Sequence, residues 1–235
     1  MLVLAIDTAT AVASVALVAE GQPVAEENLH IPQKTHSERL LPALDWVLAG
    51  AGFDIAAVNA FAVSMGPGSF TGLRIGLGTA RGLAHALDKP LVTIPTLDAL
   101  AYNYFFPGAV ICPLLDAKQG YVYTAFYRGG NEGVELVTDY LALTPAEIAQ
   151  YLAKEEGQVV LLGDGIGLCQ EAISLHGISF FLAPPASRMP RAASVGILAT
   201  ERLRAGKQDD IFTAKPLYVR KSAAEINLQK KRQQG

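Results

Sequence analysis

Apolar runs broken by glycines and short polar turns divide this chain into two halves with similar element orders. Leu2 to Thr8 and Val12 to Val18 are nearly continuous apolar runs, the pattern of strands covered on both faces, and Pro23 to Leu29 alternates more openly. The connections TATA and AEGQ are short enough to predict an antiparallel meander. Thr35-His36-Ser37-Glu38 has the spacing of a capping box, in which a hydroxyl and a carboxylate three residues on satisfy each other's amides, so a helix is predicted from there. Leu40, Leu41, Leu44, Val47, Leu48 and Ala51 follow at helical spacing, with Pro42 predicted to kink the helix and Gly50 and Gly52 to end it. Ala57 to Met65 predicts a strand leading into GPGSFTG and a glycine-rich helix to Leu87. Pro90 to Ile94 and Thr96 to Tyr104 predict a strand and a helix with Thr96 as N-cap, which completes a βββαβαβα order.

The second half restarts with strands at Ala109 to Leu115, Tyr121 to Tyr127 and Val134 to Tyr140, joined by DAKQG and RGGNEG. Thr144-Pro145-Ala146-Glu147 signals a helix start with a cap, a first-position proline and an early acid. Gln158 to Leu162 predicts a strand ending in Gly163-Asp164-Gly165, then a helix to Leu175, a strand Ile178 to Leu182, the link APPASRMP and a helix Arg191 to Ala205. The predicted fold is α/β with two lobes, each a mixed β-sheet with flanking helices: residues 1–105, residues 106–216, and a basic tail over 217–235.

The stretch Met65 to Leu87 carries four helical glycines, Gly72, Gly76, Gly78 and Gly82. Each costs roughly 1 kcal/mol against alanine in a helix, so close approach of other backbone on two faces is the expected reason for them. Arg74, Arg81 and His85 fall on one side with Gly78 between them, opposite Leu73, Leu77 and Ala80.

Composition narrows the picture. With 51% apolar and 17% charged residues the chain can bury a large core. The apolar start lacks a basic leader and contains Asp7, which predicts neither a signal peptide nor a membrane helix. Cys112 and Cys169 have no metal or redox spacing and read as reduced core residues of a cytoplasmic protein. The net charge of −3 divides into +5 from Ile211 onward (Lys215, Arg220, Lys221, Lys230, Lys231 and Arg232 against Glu225) and −8 elsewhere. An acidic body disfavours stand-alone nucleic-acid binding, although the tail can reach phosphate in a larger assembly.

Asp7 and Thr10 at the first hairpin, and Asp116 with Lys118 at the second, are residue types that can hold a metal-bound phosphate; the same types are ordinary turn formers. GPGSFTG lacks the lysine of a Walker loop, so it either offers amides to an anion or only turns the chain and caps a helix through Ser69 or Thr71. His30, His36, His85 and His176 show no ligand spacing, and no serine sits in a nucleophile elbow.

LAIDTAT at Leu4, GPGSFTGLRIG at Gly66, the following TARGLA, LLDAKQGYVY at Leu114 and PLYVR at Pro216 together resemble the TsaB family, over nearly the whole chain. The resemblance implies the two-lobed fold of the actin, Hsp70 and sugar-kinase superfamily. It implies a non-catalytic subunit that binds its paralogue TsaD, with the ATPase TsaE joining, for threonylcarbamoylation of the adenosine beside the anticodon of tRNA. It also implies a homodimer when the partner is absent, tRNA met only indirectly or through the tail, and no membrane.

TsaD-type sequences place a metal-binding HxxxH where this chain has Thr96 and Leu100, so the resemblance implies no metal and no catalysis here. Thr8 follows Asp7 where the superfamily has glycine, and the second hairpin lacks a double glycine, so no cofactor is expected and Asp7, Thr10 and Asp116 are at most a vestigial phosphate site. The partner face is expected on the two first-lobe helices, at His36, Leu40, Leu44, Arg74, Gly78, Arg81, Gly82 and His85. The alternative is a stand-alone ATPase or small-molecule kinase using Asp7 and Asp116.

Overall fold

The structure, a computed structural model, describes residues 1–30 and 36–220, with the side chains of His36 and Ser37 excepted. The first half forms β1 (Leu2–Asp7), β2 (Val12–Ala19), β3 (Gln22–His30), α1 (His36–Gly50), β4 (Ala60–Gly66), α2 (Phe70–Ala86), β5 (Leu91–Pro95) and α3 (Thr96–Tyr102). The sheet order is β3-β2-β1-β4-β5, antiparallel through the meander and parallel from β1 to β4 and β5. The predicted box at Thr35 lies outside the described residues. Pro42 sits inside α1, which continues to Gly50.

Alternation along β1 and β4 sorts side chains by size. Leu4, Ile6, Phe61 and Val63 meet Leu40, Leu44 and Val47 of α1 and Leu77 and Ala80 of α2 on one face. On the other face Ala5, Ala60 and Ala62 leave a shallow surface. That surface receives α6 (Ala192–Arg204) through Ala192, Ala193, Val195 and Ala199. A methyl group at Gly196 would stand 2.5 Å from Val18 Cγ2, so the helix needs glycine to come this close. Arg191 provides no side-chain cap; instead Ser14 Oγ accepts from Ala192 N–H at 2.9 Å and Glu26 Oε1 from Ala193 N–H at 3.0 Å, placing a carboxylate at the positive end of the helix. The last described helix thus packs on the first lobe, although its position in the sequence lies within 106–216.

The second half gives β6 (Val110–Asp116), β7 (Val122–Thr124), β8 (Tyr127–Gly129), β9 (Val134–Leu136), β10 (Leu141–Leu143), α4 (Pro145–Leu152), β11 (Val159–Leu162), α5 (Ile166–Leu175) and β12 (Phe180–Leu182). Its sheet runs β10-β7-β6-β11-β12, with the β8 and β9 hairpin beside β6. The predicted strand Tyr121 to Tyr127 is broken into β7 and β8, and Val134 to Tyr140 shortens to β9, with β10 starting just beyond it. Leu114 pairs with Thr124 and Ile111 with Tyr127. The break at Ala125 and Phe126 lies opposite Pro113, which has no N–H for the ladder, and Phe126 N–H donates instead to Thr138 Oγ1 at 3.1 Å. The capping box at α4 forms as the sequence predicts, through Thr144 and Glu147. α4 and α5 cover one face of this sheet and α3 the other, the latter through Leu97, Leu100 and Ala101. This is the two-lobed plan expected from the element order.

Candidate functional site

The first turn is built inward. Asp7 is fully buried at the end of β1; its Oδ1 accepts from Ala9 N–H at 3.0 Å, and Ser64 Oγ of β4 donates to Oδ2. Thr8 Oγ1 donates to Gly72 O at 2.7 Å, Thr10 Oγ1 accepts from Val12 N–H at 3.2 Å, and Ser69 N–H donates to Ala9 O at 2.7 Å. A methyl group at Gly68, Gly72 or Gly76 would meet Ala9 O at 2.4 Å, Thr8 O at 2.0 Å or Thr8 Oγ1 at 2.3 Å. Three glycines therefore serve one purpose, letting the start of α2 lie against the first hairpin. Ser69 caps α2, its Oγ accepting from Gly72 N–H at 3.3 Å, and Gly66 turns the chain at φ 111°. Of the two readings of GPGSFTG, this geometry matches the turn and cap, with the Ser69 amide given to protein.

The second hairpin is more open. Asp116 is 27% exposed, and Lys118 binds it twice, Nζ to Oδ2 at 2.6 Å and N–H to Oδ1 at 2.7 Å. Partial burial pushes its carboxyl up, while the Lys118 bonds outweigh this and hold it below the usual range. Asp164 Oδ1 accepts from the Asp116 N–H at 2.9 Å, and the Gly165 N–H goes to Leu114 O at 2.9 Å. The Gly165 amide of the GDG turn is spent on packing the two strands.

At the place compared with HxxxH, Thr96 and Leu100 are both fully buried. Thr96 is the first residue of α3 rather than its N-cap, which is Pro95, and its hydroxyl accepts from Gly66 N–H at 3.1 Å. Neighbouring Asp98 accepts from the hydroxyls of Tyr127 at 2.7 Å and Tyr140 at 2.8 Å, pinning α3 to the second sheet. Burial raises its carboxyl above the ordinary range, against the lowering effect of both tyrosines. Among the described residues no group of three or more His, Cys, Asp or Glu is placed to hold a metal ion.

The outer side of α1 and α2 differs in part from the expected partner face. Leu40 and Leu44 are 1% and 2% exposed and belong to the lobe's own core, because their helical phase points at β1 and β2. The outward arc of α1 instead carries Leu41 and Trp46, 55% and 63% exposed. Trp46, the chain's only tryptophan, stands two residues from Leu44, and that phase was the signal for its exposure. The His36 side chain lies outside the described residues. On α2, Gly78 and Gly82 are exposed and a methyl group on either meets nothing within 4 Å. Arg74, Arg81 and His85 are covered in part by the chain's own C-terminal segment. Arg81 donates to the carbonyls of Phe212 and Ala214, each at 3.3 Å, and the His85 ring meets Phe212 edge-on at 5.6 Å. Arg74 Nε donates to Tyr218 Oη at 3.4 Å while its guanidinium lies 3.9 Å from the Phe70 ring. Sequence periodicity gave no sign of this covering, since the segment is irregular.

Residues 30–228 match the family model described as TsaD: tRNA N6-adenosine threonylcarbamoyltransferase. The chain is 31% identical over 226 residues to the tRNA threonylcarbamoyladenosine biosynthesis protein TsaB of Bacillus subtilis, covering 96% of each. It is 30% identical to the protein of that name in Escherichia coli, covering 95% of this chain and 96% of that one. Among solved structures, a Pseudomonas aeruginosa protein described as similar to peptidase YEAZ superposes with a TM-score of 0.80 at 30% identity, covering 93% of this chain and 99% of that one. The buried first turn, the two-lobed fold and full-length similarity at this level agree, and the chain belongs to the TsaB family.

Proposed function

We propose that this chain takes part in tRNA threonylcarbamoyladenosine biosynthesis as a non-catalytic scaffold that binds TsaD, with TsaE joining the assembly. The observation that carries the reading is the contrast between the two halves of the glycine-rich helix. Gly72 and Gly76 are filled by the chain's own first hairpin, whereas Gly78 and Gly82 open on space. Two helical glycines that no other described residue approaches cost roughly 2 kcal/mol together, which a partner helix seated against them explains. The same lobe exposes Leu41 and Trp46 on α1, apolar area suited to a protein partner. The relatives' names supply the pathway.

In the absence of TsaD this face joins two copies in an isologous homodimer. Any tRNA contact is indirect or through the basic tail, of which 221–235 lie outside the described residues. No helix among the described residues is long and apolar enough to cross a membrane, and the site of action is the cytoplasm, where the tRNA substrate is.

Copurification with TsaD tests the reading: Gly78→Leu and Gly82→Leu are expected to abolish capture, and retention of TsaD by both would remove the helix-packing proposal. The rival, a stand-alone ATPase or small-molecule kinase, has in its favour the Asp116 and Lys118 pair in the second hairpin. Calorimetry with Mg-ATP decides it, micromolar binding with turnover favouring the rival.

A further inference from the structure

The C-terminal segment covers more than α2. Leu217 N–H donates to Met65 O at 2.7 Å, at the last turn of β4 before the glycine-rich corner. A methyl group at Gly66 would stand 2.7 Å from Leu217 O, so the two backbones are in direct contact. The Tyr218 ring lies 5.2 Å from Phe70 at the first residue of α2. Two residues later the chain is on the other lobe: the Arg220 guanidinium lies 4.0 Å from the Tyr121 ring and Nη1 donates to Lys118 O at 3.5 Å. Three residue steps span at most about 10 Å. The segment therefore bridges the GPG corner of the first lobe and the DAKQG hairpin of the second.

We propose that residues 212–220 are a latch that ties the GPG corner of the first lobe to the DAKQG hairpin of the second, so that the two turns open only as a unit. The first-lobe end is held by backbone, through Leu217 and Met65, and by the Arg81 bonds to the carbonyls of Phe212 and Ala214. The second-lobe end is held by one guanidinium on an aromatic face, the weaker of the two. Two turns tied this way keep the start of α2 fixed relative to the second lobe, and a ligand reaching both turns has to displace the latch first.

Hydrogen exchange on the full chain separates a latch from local decoration. Arg220→Ala removes only the second-lobe contact. Under the proposal it also accelerates exchange at the Leu217, Gly66 and Ser69 amides of the first-lobe end by roughly two- to fivefold, the range that loss of an exposed cation–π contact supplies. Tyr121→Leu, which cuts the same contact from the other side, reproduces the pattern. Leu217→Pro removes the Met65 bond and accelerates the Ala117 and Tyr121 amides of the hairpin. The amides of α4, remote from the latch, report whether the fold is intact and stay at wild-type rates. Acceleration confined to each variant's own end, or spread equally to α4, overturns the proposal.

Discussion

The same substitution, glycine to alanine, is expected to act with opposite signs two residues apart on α2. At Gly78 the added methyl meets open space, and at Gly76 it would stand 2.3 Å from Thr8 Oγ1. Replacing an interior helical glycine with alanine gains about 1 kcal/mol from the freedom the unfolded chain no longer loses, and Gly78→Ala should show nearly all of it. Gly76→Ala has the same gain. Against it stand overpacking of about 1–3 kcal/mol in a core that cannot expand and loss of about 1 kcal/mol if Thr8 turns away from its 2.7 Å bond to Gly72 O. The net is destabilisation of about 1–3 kcal/mol, a large part of the 5–15 kcal/mol typical of a folded domain. Urea unfolding followed by far-UV circular dichroism reads both, at several protein concentrations so that self-association is seen separately. A Gly76→Ala protein as stable as Gly78→Ala would refute the idea that the first hairpin is what the inner glycines accommodate.

Other measurements bear on the remaining features. Leu44→Ala should cost about 2–5 kcal/mol because the side chain is in the core, whereas Trp46→Ala should leave stability within about 0.5 kcal/mol while weakening TsaD capture. Burial raises Asp98 in the folded state, so its ionisation is harder there than in the unfolded chain; the stability it contributes at low pH is lost as pH rises through its raised value. Urea unfolding at pH 4 and pH 7 should therefore show the wild type losing ground to Asp98→Asn with rising pH. Burial also pushes the Cys112 and Cys169 thiols up to about 12, and both are fully buried. Neither should react with a thiol reagent at pH 8 until the protein is unfolded.

Much of the chain's organisation was legible because it is local. The Thr144 and Glu147 box, the βββαβαβα order and the apolar strand before GPGSFTG follow from spacing within a few residues, and the structure reproduces them. The errors are of one kind. Periodicity marks Leu40 and Leu44 as an apolar face without saying what covers it, and here the lobe's own sheet does. Thr96 has the residue type of a cap, but its hydroxyl serves the neighbouring Gly66 turn instead. The break of the predicted Tyr121 to Tyr127 strand opposite Pro113 depends on which residues pair across the ladder.

The glycine-rich helix shows where the boundary lies. The sequence by itself determined that four glycines interrupt a helix at an entropic cost, which makes close approach the expected reason for them. Only the tertiary structure decided that two receive the first hairpin and two remain open, that α6 crosses back to the alanine face of the first sheet, and that residues 212–220 bridge the lobes. Propensity and period are properties of a segment, whereas the identity of the neighbour is set by contacts between residues far apart in the chain.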